Sequence, residues 1–394
     1  MTLRWNDAAL NLAAHPVGWP LARLARRIGG VVRVPGLGVV ISDAEVAHDV
    51  LTRDDLFTKN GPRSFSAGMT ELFGESALGN MDGQPHRRLR ATLSDIVTPA
   101  RATELLAVCE PLLADLRRDL GAGRTVDLVA FMRLLSGRIT FDMLGAGSEV
   151  VSDDACLALV ALGERITCGV GLGRLAGARL ARTRRDANQL GDEIRKRYDS
   201  VSAPPMSFIA RLKAAGLTSE EARGVLSILF LAGTLTTAAA LPRLVALLVD
   251  GGHLPALRAS PDGATAAIAE GLRYTTPVPA TVRIAQDDGV VRGHRFQAGD
   301  RLLILTCNLA RDPAMFPEPD RFDPARVMDP RARFLWYGAG PHFCLGFAVA
   351  QRQLALVLRA LLDLPGALQV VRRRAARRVI VPAYAELHVR MTAA

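Results

Sequence analysis

The sequence has few lysines and few aromatic residues, and its positive charge comes almost entirely from arginine. Three lysines, Lys59, Lys196 and Lys213, stand among 49 basic residues, and aromatic residues make up 5% of the 394 residues. The net charge is +10, yet the basic residues are spread along the chain apart from one dense run at 372–378. That run lacks the interleaved aromatic residues on which bases stack. We therefore interpret it as a solvated turn or strand edge, expect no nucleic-acid partner, and keep an acidic protein partner as an alternative.

The sequence has few cysteines, and their spacing follows no motif of paired cysteines. An odd count of five with no C-x-x-C spacing argues against a disulfide framework and against a structural zinc site. The chain also lacks a composition break or a long linker rich in Ser, Gly and Pro. These absences favour one domain covering residues 1–394.

The sequence has no uninterrupted apolar run of the ~20 residues that a membrane span requires. The most apolar run, 225–241, is interrupted by Ser227, Gly233 and several threonines, and the N-terminus carries Asp7 too early for a signal peptide. We therefore predict a buried central helix in a cytoplasmic protein without a membrane anchor.

Apolar periodicity predicts a mainly helical protein with a minor β part. Residues 99–250 repeat their apolar positions at helical spacing, and Thr218 with Glu221 predicts a capping box at the start of a strong helix. Residues 29–42 and 283–306 alternate like strands around turn residues, and the C-terminus again resembles strands.

The segment FLWYGAGPHFCLGFAVAQ, residues 334–351, surrounds one cysteine with glycines and precedes an apolar helix predicted over 345–364. A helix N-terminus stabilises a thiolate, and a thiolate is a soft axial ligand for haem iron. A single cysteine is more often a buried structural residue. The spacing aromatic-Gly-x-Gly-x-His-x-Cys-x-Gly reverses that preference; it is formed by Tyr337, Gly338, Gly340, His342, Cys344 and Gly346.

This segment resembles the haem-binding loop of the cytochrome P-450 superfamily, in particular the soluble bacterial haem-thiolate monooxygenases. The resemblance implies a fold in which haem b lies between a long distal helix and the proximal cysteine loop, with Cys344 as the thiolate ligand. Tyr337 stands where the family usually has Phe, and its ring would still shield the sulfur.

The resemblance extends to a structural network and to cofactor contacts. EGLRYTTP resembles the family's E-x-x-R helix, with Glu270 and Arg273 three residues apart on one helical face, and Arg321 of PDRF is expected to join them. By the same resemblance, the haem propionates would be bound by His86, Arg90, Arg283 and His342. Further contacts to the haem are expected from Gly338, Gly340, Gly346 and Ala232.

LFLAGTLTTAAALP resembles the distal helix, where Ala232, Gly233, Thr236 and Thr237 match the family pattern. The resemblance implies that the small residues make room for dioxygen and that Thr236 bonds to it and organises water. Leu235 occupies the position of the usual acidic residue, and no carboxylate occurs between Glu221 and Asp250. The usual proton relay is therefore in question.

The implied function is NAD(P)H-dependent oxidation of a lipophilic small molecule, with electrons from a separate ferredoxin and ferredoxin reductase. Two alternatives stay open: oxidative radical coupling without oxygen insertion, and a non-catalytic haem sensor. By resemblance, substrate-contacting positions are expected at Leu229, Val278, Ala280, Thr281 and Tyr384.

Overall fold

The computed structural model describes residues 7–61, 64–145, 151–171, 177–200, 203–260, 262–330, 332 and 334–392. Its helices are α1 (Asp7–Ala14), α2 (Gly18–Ile28), α3 (Ala44–Thr52), α4 (Phe65–Phe73), α5 (Gly83–Ser94), α6 (Pro99–Leu105), α7 (Glu110–Gly121), α8 (Leu128–Leu144), α9 (Asp153–Gly171), α10 (Gly177–Ser200), α11 (Phe208–Ala214), α12 (Ser219–Asp250), α13 (Leu254–Arg258), α14 (Gly263–Thr275), α15 (Thr306–Leu309) and α16 (Phe347–Leu362). Its strands are β1 (Val31–Val34), β2 (Gly38–Ile41), β3 (Phe57–Thr58), β4 (Val126–Asp127), β5 (Thr281–Ala285), β6 (Gly289–Val291), β7 (His294–Phe296), β8 (Arg301–Ile304), β9 (Ala367–Ala375) and β10 (Tyr384–Thr392).

The mainly helical prediction is confirmed, and α12 is the longest of these helices and lies at the centre. It begins at the predicted capping box: the Glu221 backbone N–H donates to the Thr218 hydroxyl, and the Glu221 carboxylate accepts from the Thr218 backbone N–H. The helix packs against α8, α9, α10, α14 and α16. Among the described residues it is the one helix with the length and composition of a membrane span, but 67% of its most apolar window is buried inside the protein. The prediction of a buried central helix is confirmed.

The β part forms two sheets and a hairpin. The larger sheet has the order β1-β2-β8-β5-β3, in which β2 and β8 run parallel and the other neighbours antiparallel. The smaller sheet has the order β4-β10-β9, and β6 pairs with β7. The strand predictions for 29–42 and 283–306 are confirmed.

The C-terminal region explains the basic run 372–378. Arg372 and Arg374 lie on β9 and pair with Glu386 of β10, and Arg373 pairs with Asp250. The remaining arginines of the run are exposed in the turn after β9. The interpretation as a strand edge and a turn is confirmed.

Candidate active site

A cavity of ≈ 360 Å³ lies between α12 and the cysteine loop. The two segments that the sequence placed on opposite sides of a haem therefore face one space. The α12 wall contains Ile228, Leu229, Ala232, Gly233, Thr236, Thr237 and Ala240. The loop wall contains Trp336, Tyr337, Gly338, Ala339, His342, Phe343, Cys344, Leu345 and Gly346.

The cysteine loop is a tight turn closed by backbone hydrogen bonds. The Cys344 N–H donates to the Tyr337 carbonyl at 3.0 Å, and Gly338 and Gly340 adopt φ of +82° and +65°. A Cβ at Gly340 would come within 2.6 Å of the Leu51 carbonyl oxygen. Gly340 therefore permits contact with α3 and does not line the cavity, which corrects its assignment as a cofactor contact. Gly338 and Gly346 do line the cavity.

Helix α16 begins at Phe347, with Gly346 as its N-cap, and ends at Leu362. The sequence-based bounds were thus two residues too long at each end. Burial raises the pKa of the Cys344 thiol, although the Gly346 backbone N–H and Arg90 act in the opposite direction. Cys344 precedes the helix, and the Gly346 N–H at the helix N-terminus favours the thiolate as expected, but burial of the sulfur acts more strongly in the opposite direction. A metal cation on the sulfur would supply the missing stabilisation.

Tyr337 packs beside the cysteine as expected. Its ring meets that of Phe347 edge-on, with centroids 4.9 Å apart, and its hydroxyl accepts a hydrogen bond from Gln351 Nε2 at 3.0 Å. Burial, together with the neighbouring Cys344, raises the pKa of Tyr337. The residue is therefore a neutral phenol at the cavity wall.

Four predicted propionate contacts line one end of the cavity, and Lys59 joins them; the set is Lys59, His86, Arg90, Arg283 and His342. Burial lowers the pKa of Arg283 to about 10 and also lowers that of Arg90. Burial and the neighbouring arginines lower the pKa of Lys59 to about 7. Cations that disfavour one another in a partly buried site favour a bound anion.

Asp82 connects the turn that carries Lys59 to the His342 ring of the cysteine loop at this end of the cavity. It accepts hydrogen bonds from the Lys59 backbone N–H at 2.8 Å, from the Thr58 hydroxyl, and from His342 Nε2 at 2.9 Å. Burial raises the Asp82 pKa, but these hydrogen bonds outweigh it and lower the pKa to about 2. Burial lowers the pKa of His342 to about 4. The pair is therefore a carboxylate that accepts from a neutral imidazole, and the His342 ring stacks on His86 at 4.2 Å.

These residues fit a haem. Among the described residues, no group of three or more His, Cys, Asp or Glu side chains is arranged to hold a bare metal ion. An iron ion at the single thiol would need the other ligands of a macrocycle, and the cationic end of the cavity matches the carboxylates of such a macrocycle. The chemistry of the donor set thus agrees with thiolate-ligated haem.

Two threonine hydroxyls on the α12 wall donate their protons to backbone carbonyls of the same helix. Thr236 Oγ1 donates to the Ala232 carbonyl at 3.0 Å, so its lone pairs remain available to a guest in the cavity. Thr237 Oγ1 donates to the Gly233 carbonyl at 3.1 Å. A Cβ at Gly233 would come within 2.8 Å of Thr140 Oγ1, so this glycine is also required for the contact between α12 and α8.

Leu235 does not line the cavity; it is partly buried and packs against the hydrophobic core. No Asp or Glu side chain is among the described residues of the cavity wall. A side chain that replaces the distal acid therefore comes neither from α12 nor from any described loop at the wall.

The predicted ion pair between Glu270 and Arg273 on α14 is present, but the third residue of the predicted network is a different arginine. Arg273 binds both carboxylate oxygens of Glu270, at 2.6 and 2.8 Å, and neither side chain is exposed. Arg326, not Arg321, completes the network, with its Nε 3.2 Å from Glu270. The Arg321 carbonyl accepts from Arg273, so the Arg321 side chain points outward and pairs with Glu318 in solvent.

Three of the five predicted substrate positions, Leu229, Val278 and Thr281, line the cavity. Ala280 and Tyr384 do not. Ala280 packs with a small second core cluster, and Tyr384 is buried in the main core at the start of β10. The sequence analysis did not assign Lys59 to the site, because it lies on a short turn where no periodic pattern applies. The rarity of lysine in this chain was the one feature that could have drawn attention to it.

Comparisons with known proteins agree with this geometry. The family described as Cytochrome P450 matches residues 264–364. The erythromycin C-12 hydroxylase of Saccharopolyspora erythraea is 30% identical over 311 residues, 74% of each chain, and cytochrome P450 109 of Bacillus spizizenii is 28% identical over 82% of this chain and 80% of that one. P450BioI, solved with an acyl carrier protein that carries hexadec-9Z-enoic acid, has the same fold, with a TM-score of 0.81 and 21% identity over 97% of this chain and 100% of that chain. The chain therefore belongs to the cytochrome P450 family, whose members carry thiolate-ligated haem, and it is a monooxygenase of that family.

Proposed function

We propose that this enzyme hydroxylates a lipophilic small molecule in the cytoplasm, as a single domain served by a separate ferredoxin and ferredoxin reductase fed by NAD(P)H. The balanced reaction converts R–H, O₂, two electrons and two protons into R–OH and water. Haem, when bound at Cys344, would supply the redox-active iron at which O₂ is reduced. The relative named as an erythromycin hydroxylase supports C–H hydroxylation as the reaction.

The observation that carries this proposal is the contrast between the two ends of the cavity. The end beside Arg90 and Arg283 is cationic, whereas the α12 wall is apolar apart from Thr236 and Thr237. A bulky lipophilic guest suits that wall. Thr236, whose proton is committed to Ala232, would accept a hydrogen bond from water or from a guest hydroxyl.

The substrate itself would supply the polar group that the wall lacks. The chemistry needs two protons, and positioned acid–base groups contribute ~10²–10⁴-fold to such transfers. With no carboxylate at the described wall, a hydroxyl or carboxyl of the substrate would join Thr236 in ordering water. The substrate class is therefore a lipophilic molecule with a polar group near the oxidised carbon.

A ligand screen followed by product analysis tests the proposal. Compounds that shift the haem Soret band would be incubated with the enzyme and with surrogate ferredoxin and reductase. The product masses would then be measured by mass spectrometry. A gain of one oxygen atom, labelled from ¹⁸O₂, is expected. The Cys344→Ala variant should lose the absorption band that carbon monoxide gives with thiolate-ligated ferrous haem.

Oxidative coupling is the second candidate, because the same lack of a wall carboxylate suits a reaction that inserts no oxygen. Its product would lose two hydrogen atoms and contain no label from ¹⁸O₂. The sensor alternative is not retained, since the relatives that cover most of the chain include a hydroxylase.

An acidic ferredoxin would be attracted to exposed arginines on α5 and α16, two helices that contribute residues to the cavity wall. Arg88 on α5 and Arg352 on α16 are exposed and form no ion pair among the described residues, whereas Arg87 is tied to Asp54. Arg88→Glu and Arg352→Glu should slow reduction by ferredoxin at low salt but not by dithionite. Arg295→Glu, an exposed charge on β7, is the matched control. Equal rates for all three variants would contradict this docking surface.

A further inference from the structure

Lys59 occupies a position that the haem-binding motifs do not explain. It follows β3 on a short turn, its side chain lines the cavity, and its Nζ donates to the Gly79 carbonyl at 3.1 Å. Its backbone N–H is bound by Asp82. The same carboxylate therefore organises both the turn that carries Lys59 and the His342 ring of the cysteine loop.

The charges at this end of the cavity do not balance without a ligand. Lys59, Arg90 and Arg283 are three basic side chains, and Asp82 is one carboxylate beside them. Burial lowers the pKa of Lys59 to about 7, and a bound anion would favour its charged form. His342 Nε2 lies 2.9 Å from Asp82 and the His342 ring packs on His86, so Asp82 is already engaged by a neighbouring side chain. No carboxylate is among the described residues of the wall itself, so Asp82 alone cannot balance the three basic side chains of this partly buried site.

We propose that Lys59 is a cofactor-binding residue whose ammonium group pairs with a porphyrin carboxylate. With Arg90 and Arg283 it makes the site electrically neutral when a dicarboxylate macrocycle binds. Without Lys59, the negative charge of Asp82 would leave the site one positive charge short of the two propionates. Asp82 acts as a positioning residue, because it fixes the backbone from which the lysine extends.

The competing assignment is that Lys59 binds a carboxylate of the substrate. The two assignments predict different behaviour of the substrate-free enzyme. A propionate partner changes haem retention before any substrate is present, whereas a substrate partner leaves the retention of haem unchanged. The inference rests on the haem assignment in the proposed function, but its readouts need no turnover.

The test uses purified holoenzyme. Haem transfer to excess apomyoglobin should be roughly tenfold to a hundredfold faster in Lys59→Met than in the wild type, the range for loss of a charge-assisted hydrogen bond. The haem midpoint potential of the variant should shift to more negative values, because a nearby positive charge favours the ferrous state. Lys59→Arg should stay close to the wild type in both measurements.

Lys196→Met is the control, because it removes one exposed lysine from α10 without touching the cavity. Its transfer rate and potential should equal those of the wild type. Wild-type values for both readouts in Lys59→Met would overturn the proposal, as would loss of affinity confined to carboxylate-bearing ligands. If Lys59→Met yields no holoenzyme, Lys59→Gln is measured in its place. Failure to find an oxygenated product would refute the proposed function but leave these measurements intact.

Discussion

The residue at position 235 affects which group supplies protons at the active site. Leu235 is attached to the helix that carries Thr236, but it packs into the core and offers no proton. On a substrate without a polar group, we expect much of the reducing power to be lost as peroxide. Since position 235 faces the core, Leu235→Asp would act only through water ordered at the neighbouring Thr236, and it should lower peroxide release by a few-fold on that substrate, well below the ~10²–10⁴ of a directly positioned acid.

Leu235→Asn is the matched control for this prediction, since it has the same shape as Asp but cannot transfer protons. It should leave the ratio of product to NAD(P)H consumed unchanged. High coupling of the wild-type enzyme on the nonpolar substrate, unaltered in Leu235→Asp, would refute substrate assistance.

The Glu270 network yields a second prediction at the residue scale. Arg326 touches Glu270 and is mostly buried, whereas Arg321 is 62% exposed. Arg326→Ala should cost ~1–3 kcal/mol of unfolding free energy, because it removes one charge-assisted contact from a buried carboxylate that Arg273 still neutralises. Arg321→Ala should change it by less than ~0.5 kcal/mol. Urea unfolding followed by circular dichroism measures both, and a reversed order would restore Arg321 to the network.

The sequence could predict the Glu270–Arg273 pair because both residues lie on one helix, where spacing determines contact. It could not select Arg326, because the segment 310–330 follows no periodic backbone. There, the direction of each side chain depends on local turns, such as the hydrogen bond from the Arg321 N–H to the Glu318 carbonyl. The E-x-x-R motif on α14 therefore predicted its contact, whereas the PDRF motif in the irregular segment 310–330 did not.

At the scale of elements, a buried polar chain joins three helices around the cavity. Gln353 Nε2 on α16 donates to Ser136 Oγ on α8 at 2.8 Å, and Ser136 lies 3.0 Å from Thr237 Oγ1 on α12. Since Thr237 donates its own proton to the Gly233 carbonyl, Ser136 must be the donor to Thr237. These hydrogen bonds all point in one direction and end at a backbone carbonyl. The series therefore holds the three helices together and does not deliver protons to the cavity.

Ser136→Ala should therefore destabilise the protein by ~1–3 kcal/mol, the cost of leaving buried polar groups unsatisfied. Ser227 on α12 provides a control, since its hydroxyl is buried and has no hydrogen-bond partner in the described part of the chain. Ser227→Ala should be neutral or stabilising. Thermal unfolding of the two variants distinguishes them, and equal midpoints would show that the chain contributes nothing to stability.

At the scale of the whole molecule, ionic contacts attach the N-terminal helices to distant segments. Asp320 accepts hydrogen bonds from Arg23 and Arg26 of α2 and from Arg311. Burial raises its pKa, but the arginines outweigh burial and hold the pKa well below its usual value of 3.8. A lowered carboxyl pKa stabilises the fold above the unfolded-state pKa, and this stability is lost as the pH falls through the folded-state pKa.

We therefore expect the unfolding free energy to decrease as the pH falls below ~3.8, and to decrease less steeply in Asp320→Asn. The effect should be small, because Asp320 is 45% exposed and solvent screens the contacts. Urea unfolding at a series of pH values measures the slope. An identical slope in Asp320→Asn would show that other carboxylates cause the acid loss of stability.

A stronger anchor lies where α1 meets the central helix. Asp7 and Arg243 are 236 residues apart in sequence, and both side chains are almost fully buried. Arg243 also donates to the Pro382 carbonyl at 3.1 Å, so the contact joins α1, α12 and the connection between β9 and β10. No local pattern indicated this pair, because neither residue belongs to a motif and the contact depends on the complete fold.

Asp7→Ala should cost ~3–5 kcal/mol, because the Arg243 guanidinium would remain buried without its carboxylate. The double variant Asp7→Leu/Arg243→Met should recover most of that loss, since apolar pairs often replace buried ion pairs without cost. Asp55→Ala, which breaks the exposed Arg53–Asp55 pair, is the control and should leave the unfolding free energy close to that of the wild type. Urea unfolding of the four proteins, followed by the Soret band and by circular dichroism, gives the comparison. If Asp7→Ala unfolds like the wild type, α1 does not anchor the central helix; if the double variant is no more stable than Asp7→Ala, the loss comes from packing at position 7 and not from the unpaired arginine.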